Sequence, residues 1–388
     1  MYNYTRILIH IFHISMNYYI LPTKNMSINL NPTFTDKDLN YISDSYTRNV
    51  NSLCCQVNEI ENYYKSIIPT NIINDIHKIN NIYSYIFDVI SKEVEAYLNI
   101  SNLHKNSQLF FVVIELYNTF DCIKYTMDMY PSNITYIGDT PDIFQNSIQY
   151  IHKTPPGLDP LNIPCNTLDE LYQQVYSDKY SESMRENGFL FFDIDYEIND
   201  IENIKNYTIY LLKSMYIALK TKQNCVIKIW EIIHKPIVDI IYMLTGMYKH
   251  VYISKPTTTQ YRNDRFIICK DLNHLYETPE NNNECVNNIT SVITYISNKY
   301  DIPDNSLDNK TCIKSVIENS LSQHFINKIE ETTLIVGQKN IEYYENLIII
   351  LKLYGKDDKL DLAKKNSIIK CAHWCSKNNI PIKTSYTV

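Results

Sequence analysis

The sequence is poor in glycine, lacks long apolar runs and carries no net positive charge. Only 6 of its 388 residues are glycine, whereas 34 are tyrosine, and Asn, Ile and Lys are abundant. This bias is what an A+T-rich genome encodes, so it concerns origin rather than fold. No segment is apolar over the roughly 20 residues that a membrane helix needs. The formal net charge is −7, which excludes a generic polyanion binder.

The 10 cysteines lack the spacing of a metal site. Cys371 and Cys375 share a face of a predicted helix, but His373 points elsewhere, so no zinc site is predicted. Cys54 and Cys55 are adjacent, cannot both chelate comfortably, and are interpreted as structural. Because no convincing signal peptide precedes them, the cysteines are predicted to be free thiols in a reducing compartment, and the protein to be cytoplasmic.

The length allows one catalytic-size α/β domain with flanking segments. We predict a leader at 1–35, a helical lead-in at 36–100, an α/β domain at 101–275 and a helical C-terminal extension at 276–388. The apolar piece inside the leader is too short to span a bilayer. The leader is therefore interpreted as disordered, or as the product of a start codon upstream of a true start at Met26.

Apolar residues at three- to four-residue spacing predict the helices of the two extensions. In the lead-in they cover 44–56, 61–68 and 71–98. In the C-terminal extension they cover 289–300, 313–330, 340–354 and 360–378. The polar, Asn-rich stretch 277–288 is predicted to be a linker.

Within the predicted α/β domain, 109–116 is the best candidate for a buried strand, with the sequence Leu-Phe-Phe-Val-Val-Ile-Glu-Leu. A tight turn and a helix would follow it. A second strand is predicted at 134–137 and a third at 189–198, which runs into acidic residues. A crossover helix is predicted at 201–220.

The stretch 223–272 predicts strand, helix, strand, loop and strand, at 225–230, 236–248, 251–254, 257–265 and 266–269. Lys228 interrupts the first of these strands, although buried parallel strands are almost uninterrupted in apolar character. The same region is basic: from Lys205 to Lys270 eleven Lys and Arg face three acids, a local balance of +8. That balance suits an RNA or nucleotide ligand, although solvated helix faces would give it too.

Together these residues resemble a known family. The pattern apolar-Lys-apolar, helix, Val-Tyr-Ile-Ser-Lys-Pro-Thr-Thr-Thr and Asn-Asp-Arg-Phe-Ile-Ile-Cys is similar to the C-terminal half of FtsJ-like (RrmJ/Adrift-type) RNA 2'-O-methyltransferases, especially those of large DNA viruses. The resemblance covers about fifty residues. It implies an α/β, Rossmann-like methyltransferase sheet with helical N- and C-terminal extensions.

The resemblance also implies ligands and partners. The implied cofactor is S-adenosyl-L-methionine. The implied substrate is RNA, in particular the capped 5' end of mRNA, and the implied partners are other capping-enzyme subunits. The place of action would be the cytoplasmic factory or the virion of a large DNA virus. No membrane partner is expected.

The family uses a Lys-Asp-Lys-Glu set to deprotonate or orient the ribose 2'-hydroxyl. By resemblance Lys228 is the central lysine and Asp195 its carboxylate partner, with Asp193 the runner-up. The glutamate position falls on Asp264, or on Arg265 if the loop is aligned without a gap.

The first lysine of the set has no clean match in this sequence. Its position falls near Glu95 in the lead-in. Lys92 and Lys105 are possible substitutes, one turn before that position and beyond the predicted helix.

The cofactor turn is expected after the predicted strand 109–116, where viral members of the family carry acidic-Leu-Pro-Gly-Gly-Phe. The implied cofactor residues are Glu115, Leu116, Asn118 and Phe120. Tyr117, Asn118 and Thr119 stand in place of Pro-Gly-Gly.

Asp139 is a further candidate, as an acceptor from ribose or adenine amino groups, with a helix cap before Pro141 as the alternative. Three hypotheses follow for the whole chain. The protein is an active methyltransferase, a catalytically inactive subunit of this fold that binds or stimulates a capping enzyme, or a nucleic-acid-binding structural protein of a virion.

Overall fold

The computed structural model describes most of the chain in separate stretches. They are residues 18–23, 29–35, 44–65, 76–98, 108–120, 134–153, 167–179, 188–195, 201–230, 232–259, 264–301, 312–318, 320–353 and 357–386.

Eight strands form two sheets. They are β1 (Tyr18–Ile20), β2 (Leu30–Thr35), β3 (Ile134–Gly138), β4 (Phe189–Asp193), β5 (Asn224–Ile229), β6 (Tyr248–Ser254), β7 (Arg265–Leu272) and β8 (Cys312–Ile317). The central sheet has the order β1-β6-β7-β5-β4-β3, and β2 pairs with β8 separately. Strands β3, β4 and β5 are parallel, whereas β7 runs antiparallel to both β5 and β6.

The α-helices are α1 (Asp44–Lys65), α2 (Ile86–Val89), α3 (Lys92–Leu98), α4 (Gln108–Phe120), α5 (Pro141–Ile151), α6 (Leu168–Tyr176), α7 (Ile201–Thr221), α8 (Lys235–Met247), α9 (His274–Glu277), α10 (Pro279–Asp301), α11 (Gln323–Leu351) and α12 (Asp357–Lys377). Short 3₁₀ turns cover Ile82–Tyr85, Thr257–Thr259 and Thr384–Tyr386. None of the helices in the described part has the length and apolar character needed to cross a bilayer.

Side chains alternate along the central strands and fill two core layers. On β4, Leu190 and Phe192 pack towards α6, α7 and α8, whereas Phe189 and Phe191 pack towards α4 and α5. Both faces of the sheet are therefore covered, as a mostly parallel sheet requires. The predicted α/β class is confirmed.

The N-terminal and C-terminal extensions pack on one another. Helix α11 packs along α1, and Ile90 forms an isolated antiparallel bridge with Ile382. The Lys383 ammonium lies 3.0 Å from the Glu95 carboxylate. The lead-in and α12 thus pack together, and α4 lies between them and the sheet. Helix α10 and the start of α11 instead pack with α7 and α8 in the other core layer.

The strand predicted at 109–116 is wrong, because these residues lie in α4. A short run of apolar residues does not distinguish a buried strand from a helix buried on all sides. Here Leu109 and Val112 face the sheet, while Phe110 and Phe111 face the extensions. The turn expected at Tyr117 is the last turn of this helix.

Three predictions outside the central domain are also wrong. Residues 18–20 and 30–35 of the expected disordered leader form β1 and β2, and the linker expected at 277–288 lies mostly in α10. The helix expected at 313–330 begins with β8, because the buried Asp239 carboxylate of α8 accepts from Val316 N at 3.0 Å and from Ser315 Oγ at 2.5 Å. These bonds fix an extended backbone.

The other predicted elements of the domain are confirmed with shifted ends. They are the strands at 134–137, 225–230, 251–254 and 266–269, the first part of the strand at 189–198, and the helices at 201–220 and 236–248. In the extensions, α12 confirms the helix predicted at 360–378, and α1 joins the first two predicted lead-in helices. Long elements with a clear period were thus the most predictable.

Gly138, the last residue of β3, has no room for a side chain. A Cβ built there would lie 2.5 Å from the backbone oxygen of Asp193 and 2.5 Å from Tyr136 Oη. We therefore expect Gly138→Ala to lower the free energy of unfolding by about 1–3 kcal/mol through overpacking. Urea unfolding measures this, and the loss should be smaller in a Tyr136→Phe background. An unchanged midpoint would contradict the close approach of β3 and β4.

Candidate functional site

Acidic side chains and one lysine meet where β3, β4 and β5 end. Parallel strands present their carboxyl ends at the same edge of a sheet, which is where ligands bind in open α/β folds. A cleft of about 230 Å³ opens there; we call it the polar cleft. Its lining residues are Gln108, Leu109, Val112, Asp139, Thr140, Asp193, Asp195, Lys228, Thr259, Asp264 and Phe266.

Lys228 is the centre of the polar cleft. Its Nζ lies 2.8 Å from Asp193 Oδ1 and 2.5 Å from Asp195 Oδ1. The side chains of Lys228 and Asp193 are 9% and 8% exposed, whereas that of Asp195 is 55% exposed. Asp193 is therefore the buried partner and Asp195 the one that solvent or a ligand can reach.

These neighbours decide the protonation of Lys228. Burial alone would lower its pKa, but the negative charges of Asp193, Asp195 and Asp264 outweigh burial and raise the pKa above the ordinary lysine value. Lys228 is consequently an ammonium at neutral pH. It can donate hydrogen bonds and offset negative charge, but it is a poor general base.

Asp193 is held from the other side by Tyr136. The Tyr136 hydroxyl donates to Asp193 Oδ2 at 3.0 Å and lies 3.1 Å from Thr140 Oγ1. Burial, together with the charge of Asp193, raises the pKa of Tyr136, so the phenol stays protonated. Because Tyr136 folds over Gly138, the hydroxyl fills the space next to the end of β3.

Of Asp264 and Arg265, the structure places Asp264 at the polar cleft, because successive residues at the start of β7 point to opposite faces of the sheet. Asp264 lines the polar cleft, and the buried ammonium of Lys255 donates to its backbone oxygen at 2.6 Å and lies 3.4 Å from its Oδ1. Arg265 is paired across the sheet with Ile229 on the opposite face, and its Nη1 lies 3.5 Å from Thr333 Oγ1. Asp264 is therefore the residue beside Lys228.

None of the residues considered for the first lysine is seen at the cleft. Glu95 pairs with Lys383 in the extensions, Lys92 is exposed on α3, and Lys105 lies outside the described residues. At the start of α4 it is Gln108 that lines the cleft, and its Nε2 donates to the backbone oxygen of Thr258.

Glu115 lies on α4 two turns after Gln108 and binds the same 3₁₀ turn. Its carboxylate accepts from Thr257 N at 2.8 and 3.0 Å, from Thr257 Oγ1 at 2.6 Å and from Trp374 Nε1 at 3.3 Å. Burial raises the pKa of Glu115, although these hydrogen bonds oppose the shift. Glu115 thus joins α4, α12 and the wall of the polar cleft.

The cofactor roles predicted around Glu115 depended on a strand and turn that the structure does not have. Leu116 and Phe120 pack in the core between α4 and the sheet, and Asn118 donates to the backbone oxygen of Asn378 at 3.1 Å. Leu116, Asn118 and Phe120 therefore stabilise the packing of α4 and do not line the polar cleft. Asp139 does line the cleft, whereas Thr140 is the N-cap residue of α5, without a side-chain capping bond.

Sequence reasoning missed Tyr136, Thr140, Gln108 and Lys255 as members of this network. Tyr136 and Thr140 could have been found, because they surround the Gly-Asp pair that ends a predicted strand next to the strand of Asp193. Gln108 gave no signal, since its position depends on α4. Lys255 is part of the Lys-Pro-Thr-Thr-Thr pattern that carries the resemblance, but nothing in the sequence showed that it pairs with Asp264.

The polar cleft carries excess negative charge. Lys228 faces Asp139, Asp193 and Asp195, while Asp264 is matched by Lys255. Among the described residues no group of three His, Cys, Asp or Glu side chains is arranged to hold a metal ion. The cleft suits hydroxyl and amino groups of a ligand better than phosphates.

We expect Lys228→Met to lower the free energy of unfolding by about 3–5 kcal/mol at pH 7, because the substitution leaves the buried Asp193 carboxylate unpaired. Lys228 has a raised folded-state pKa, so its contribution is complete below the ordinary value of 10.5 and is lost as pH rises above it. Urea unfolding from pH 7 to 11 should show the difference from wild type shrink only in the alkaline range. Adding Asp193→Asn should recover much of the loss, and a double variant as unstable as the single would contradict the pairing.

Glu115→Gln should change the pH dependence of stability in the opposite sense. A carboxyl whose pKa is raised on folding favours the folded state when protonated, so wild type should lose stability relative to the Gln variant as pH rises from the ordinary value of 4.5. Urea unfolding between pH 4 and 8 measures this, with the exposed Glu93→Gln as the matched control. A difference independent of pH would contradict the buried carboxylate.

Comparison with known proteins does not place the chain in a family. No family model matches the sequence, and no curated protein matches it.

Proposed function

We propose that the protein is a degenerate relative of the FtsJ-like RNA 2'-O-methyltransferases that binds RNA without transferring a methyl group, as an inactive subunit of a viral mRNA-capping assembly. The observation that carries the proposal is the polar cleft. Residues at three of the positions that the resemblance names line it, with Lys228 and Asp195 unchanged and Asp264 in place of a glutamate, and the Tyr136 hydroxyl fills the space beside Gly138. The capped mRNA 5' end is the proposed ligand, and a cytoplasmic viral factory or virion the proposed place of action.

The sheet supports the relationship. Its antiparallel β7 is inserted between the parallel strands β5 and β6, and Rossmann-like methyltransferases close their sheets with such an inserted strand. Lys228 on β5, Asp195 after β4 and Asp264 before β7 then meet at the ligand-binding edge. Three residues named from separate segments of sequence thus line one cleft.

The retained half can bind a ribose hydroxyl. The Lys228 ammonium can donate a hydrogen bond to the hydroxyl oxygen, and the half-exposed Asp195 carboxylate can accept a hydrogen bond from the hydroxyl. Hydrogen bonds to charged groups contribute about 1.5–3 kcal/mol each. Lys228 and Asp195 can therefore hold a 2'-hydroxyl by hydrogen bonds while the hydroxyl keeps its proton.

The rest of the polar cleft does not fit S-adenosyl-L-methionine. The space next to the Gly138 backbone, beside the cleft residue Asp139, contains the Tyr136 hydroxyl and the Asp193 backbone oxygen. The cleft measures about 230 Å³, below the roughly 300 Å³ at which pockets for ligands of this size begin. Its central lysine is held as an ammonium, which does not favour deprotonation of a hydroxyl.

The second candidate is an active 2'-O-methyltransferase. It is favoured by the same convergence of Lys228, Asp195 and Asp264, since nothing in RNA binding alone requires this particular set. In that case the ammonium would orient the hydroxyl and offset the charge that develops on its oxygen.

Calorimetry with S-adenosyl-L-methionine, combined with a methyl-transfer assay on capped RNA, separates the two candidates. We expect no heat of binding at micromolar cofactor and no methylated product. Stoichiometric binding or methylated RNA would overturn the inactive-subunit proposal in favour of the active enzyme.

Recognition of the 2'-hydroxyl is tested by comparing RNA with DNA of the same sequence. We expect wild type to prefer the RNA by about 10-fold, from one hydrogen bond to a charged group. The variant Asp195→Asn should lose most of this preference and remain folded, because Asp195 is half exposed. Glu93→Gln, an equal change of charge on α3, should keep it. An equal affinity of wild type for RNA and DNA would contradict the proposal.

A further inference from the structure

The phosphates of an RNA ligand need a binding surface outside the polar cleft. The cleft has more carboxylates than cations, and a phosphate backbone contributes most of its binding energy through lysine and arginine. A polyanion would therefore have to bind lysine or arginine side chains that the protein does not already use in its own contacts.

The basic stretch between Lys205 and Lys270 is engaged within the protein. Carboxylates contact five of its lysines: Lys213, Lys220, Lys228, Lys235 and Lys255. Backbone oxygens accept from Lys222 and Lys270, and Lys249 contacts His274. The local balance of +8 read from the sequence therefore overstates the positive charge that this region offers to a ligand.

Helix α12 differs in this respect. From residue 362 to 386 the sequence contains five lysines and no acidic residue. Four of them, Lys364, Lys365, Lys370 and Lys377, are exposed. Lys364 lies on the stripe of the helix that carries the buried Cys371 and Cys375, whereas no ion pair or hydrogen bond joins Lys365, Lys370 or Lys377 to the described residues. Lys370 and Lys377 are seven residues apart on one stripe of the helix, and Lys365 lies about 120–140° around the helix axis from that stripe, on the other side of the exposed Ile369. We call these three lysines and the exposed Ile369 the α12 basic face.

We propose that the α12 basic face binds the phosphate backbone of single-stranded RNA. That the ligand is RNA rests on the proposed function. That it binds at this face rests on the positive charge of the three lysines, which is complementary to phosphate. The three lysines extend over about 18 Å at 1.5 Å per residue. Cations spread over this length, without an ion pair to the described residues, match the spaced phosphates of an extended strand better than they match a compact ligand.

A lipid surface fits this face less well. Helices that lie in a membrane interface bury a broad apolar face in the lipid. The apolar face of α12 is instead packed into the protein, where Cys371, Trp374 and Cys375 are buried. Leu362 and Ile369 are its only large apolar side chains left exposed among the described residues.

The α12 basic face is connected to the polar cleft by one chain of hydrogen bonds. Trp374, on the buried side of α12, donates to Glu115, and Glu115 accepts from Thr257. Thr259, at the end of the same 3₁₀ turn, lines the cleft. A ligand held on α12 is thus attached to the element that forms the cleft wall.

The test measures the affinity of the full chain for a fluorescent 20-nucleotide single-stranded RNA as a function of salt. Each phosphate contact to a single strand contributes about −0.7 to the slope of log K against log[salt]. The triple variant Lys365→Ala, Lys370→Ala, Lys377→Ala should therefore have a slope about 2 units shallower than wild type. At about 0.1 M salt it should bind about 100-fold more weakly, for the same reason.

A charge-matched control removes three exposed lysines from other elements, as Lys78→Ala, Lys179→Ala, Lys314→Ala, and should retain the wild-type slope. If the two triple variants lose affinity equally, the α12 assignment is overturned. Binding of the wild type to anionic phospholipid vesicles without binding to RNA would overturn it as well. Loss of the RNA-over-DNA preference in Asp195→Asn with an unchanged slope in the α12 variant would refute this inference and leave the proposed function standing.

Discussion

A buried ammonium between two carboxylates is the constraint around which the sheet edge is built. Taking Lys228 and Asp193 out of water costs several kcal/mol per ion, and their attraction repays this only if the geometry and the remaining hydrogen bonds are right. Asp195 and the Tyr136 hydroxyl provide them. The ends of β3, β4 and β5 are therefore held at fixed separations, and Gly138 has to be glycine because the phenol lies against it.

The same pairing decides whether Lys228 could act as a base. A lysine that acts as a base must release its proton near neutral pH, and burial without counter-charges is how proteins lower a lysine pKa. The carboxylates around Lys228 have the opposite effect. Stability of the sheet edge and basicity of its lysine therefore oppose each other, and this structure favours stability.

The sequence predicted the central elements well, because the strands at the sheet centre and helices α7 and α8 have long, clean apolar patterns. It also identified Lys228 and Asp195, since a charge inside an apolar strand and an acid at a strand end are visible without a fold. It failed at α4, whose apolar residues face two cores and so have no period. Glu115 was misassigned for that reason, and its partners Thr257 and Trp374 are 142 and 259 residues away in sequence, a distance over which no local pattern acts.

That long separation has a consequence for folding during synthesis. Domains generally form as the chain emerges, with N-terminal parts first, and contacts between distant residues are slow to form because the entropy of closing the intervening loop is lost before they stabilise anything. The sheet, with Lys228 in place, can assemble once β7 has been made. The hydrogen bond from the Trp374 indole to the Glu115 carboxylate cannot form until Trp374 has been translated. A nascent chain would therefore acquire its ion pairs and its cleft wall well before α12 covers α4, and that interval is when a chaperone or an assembly partner would meet α4 uncovered.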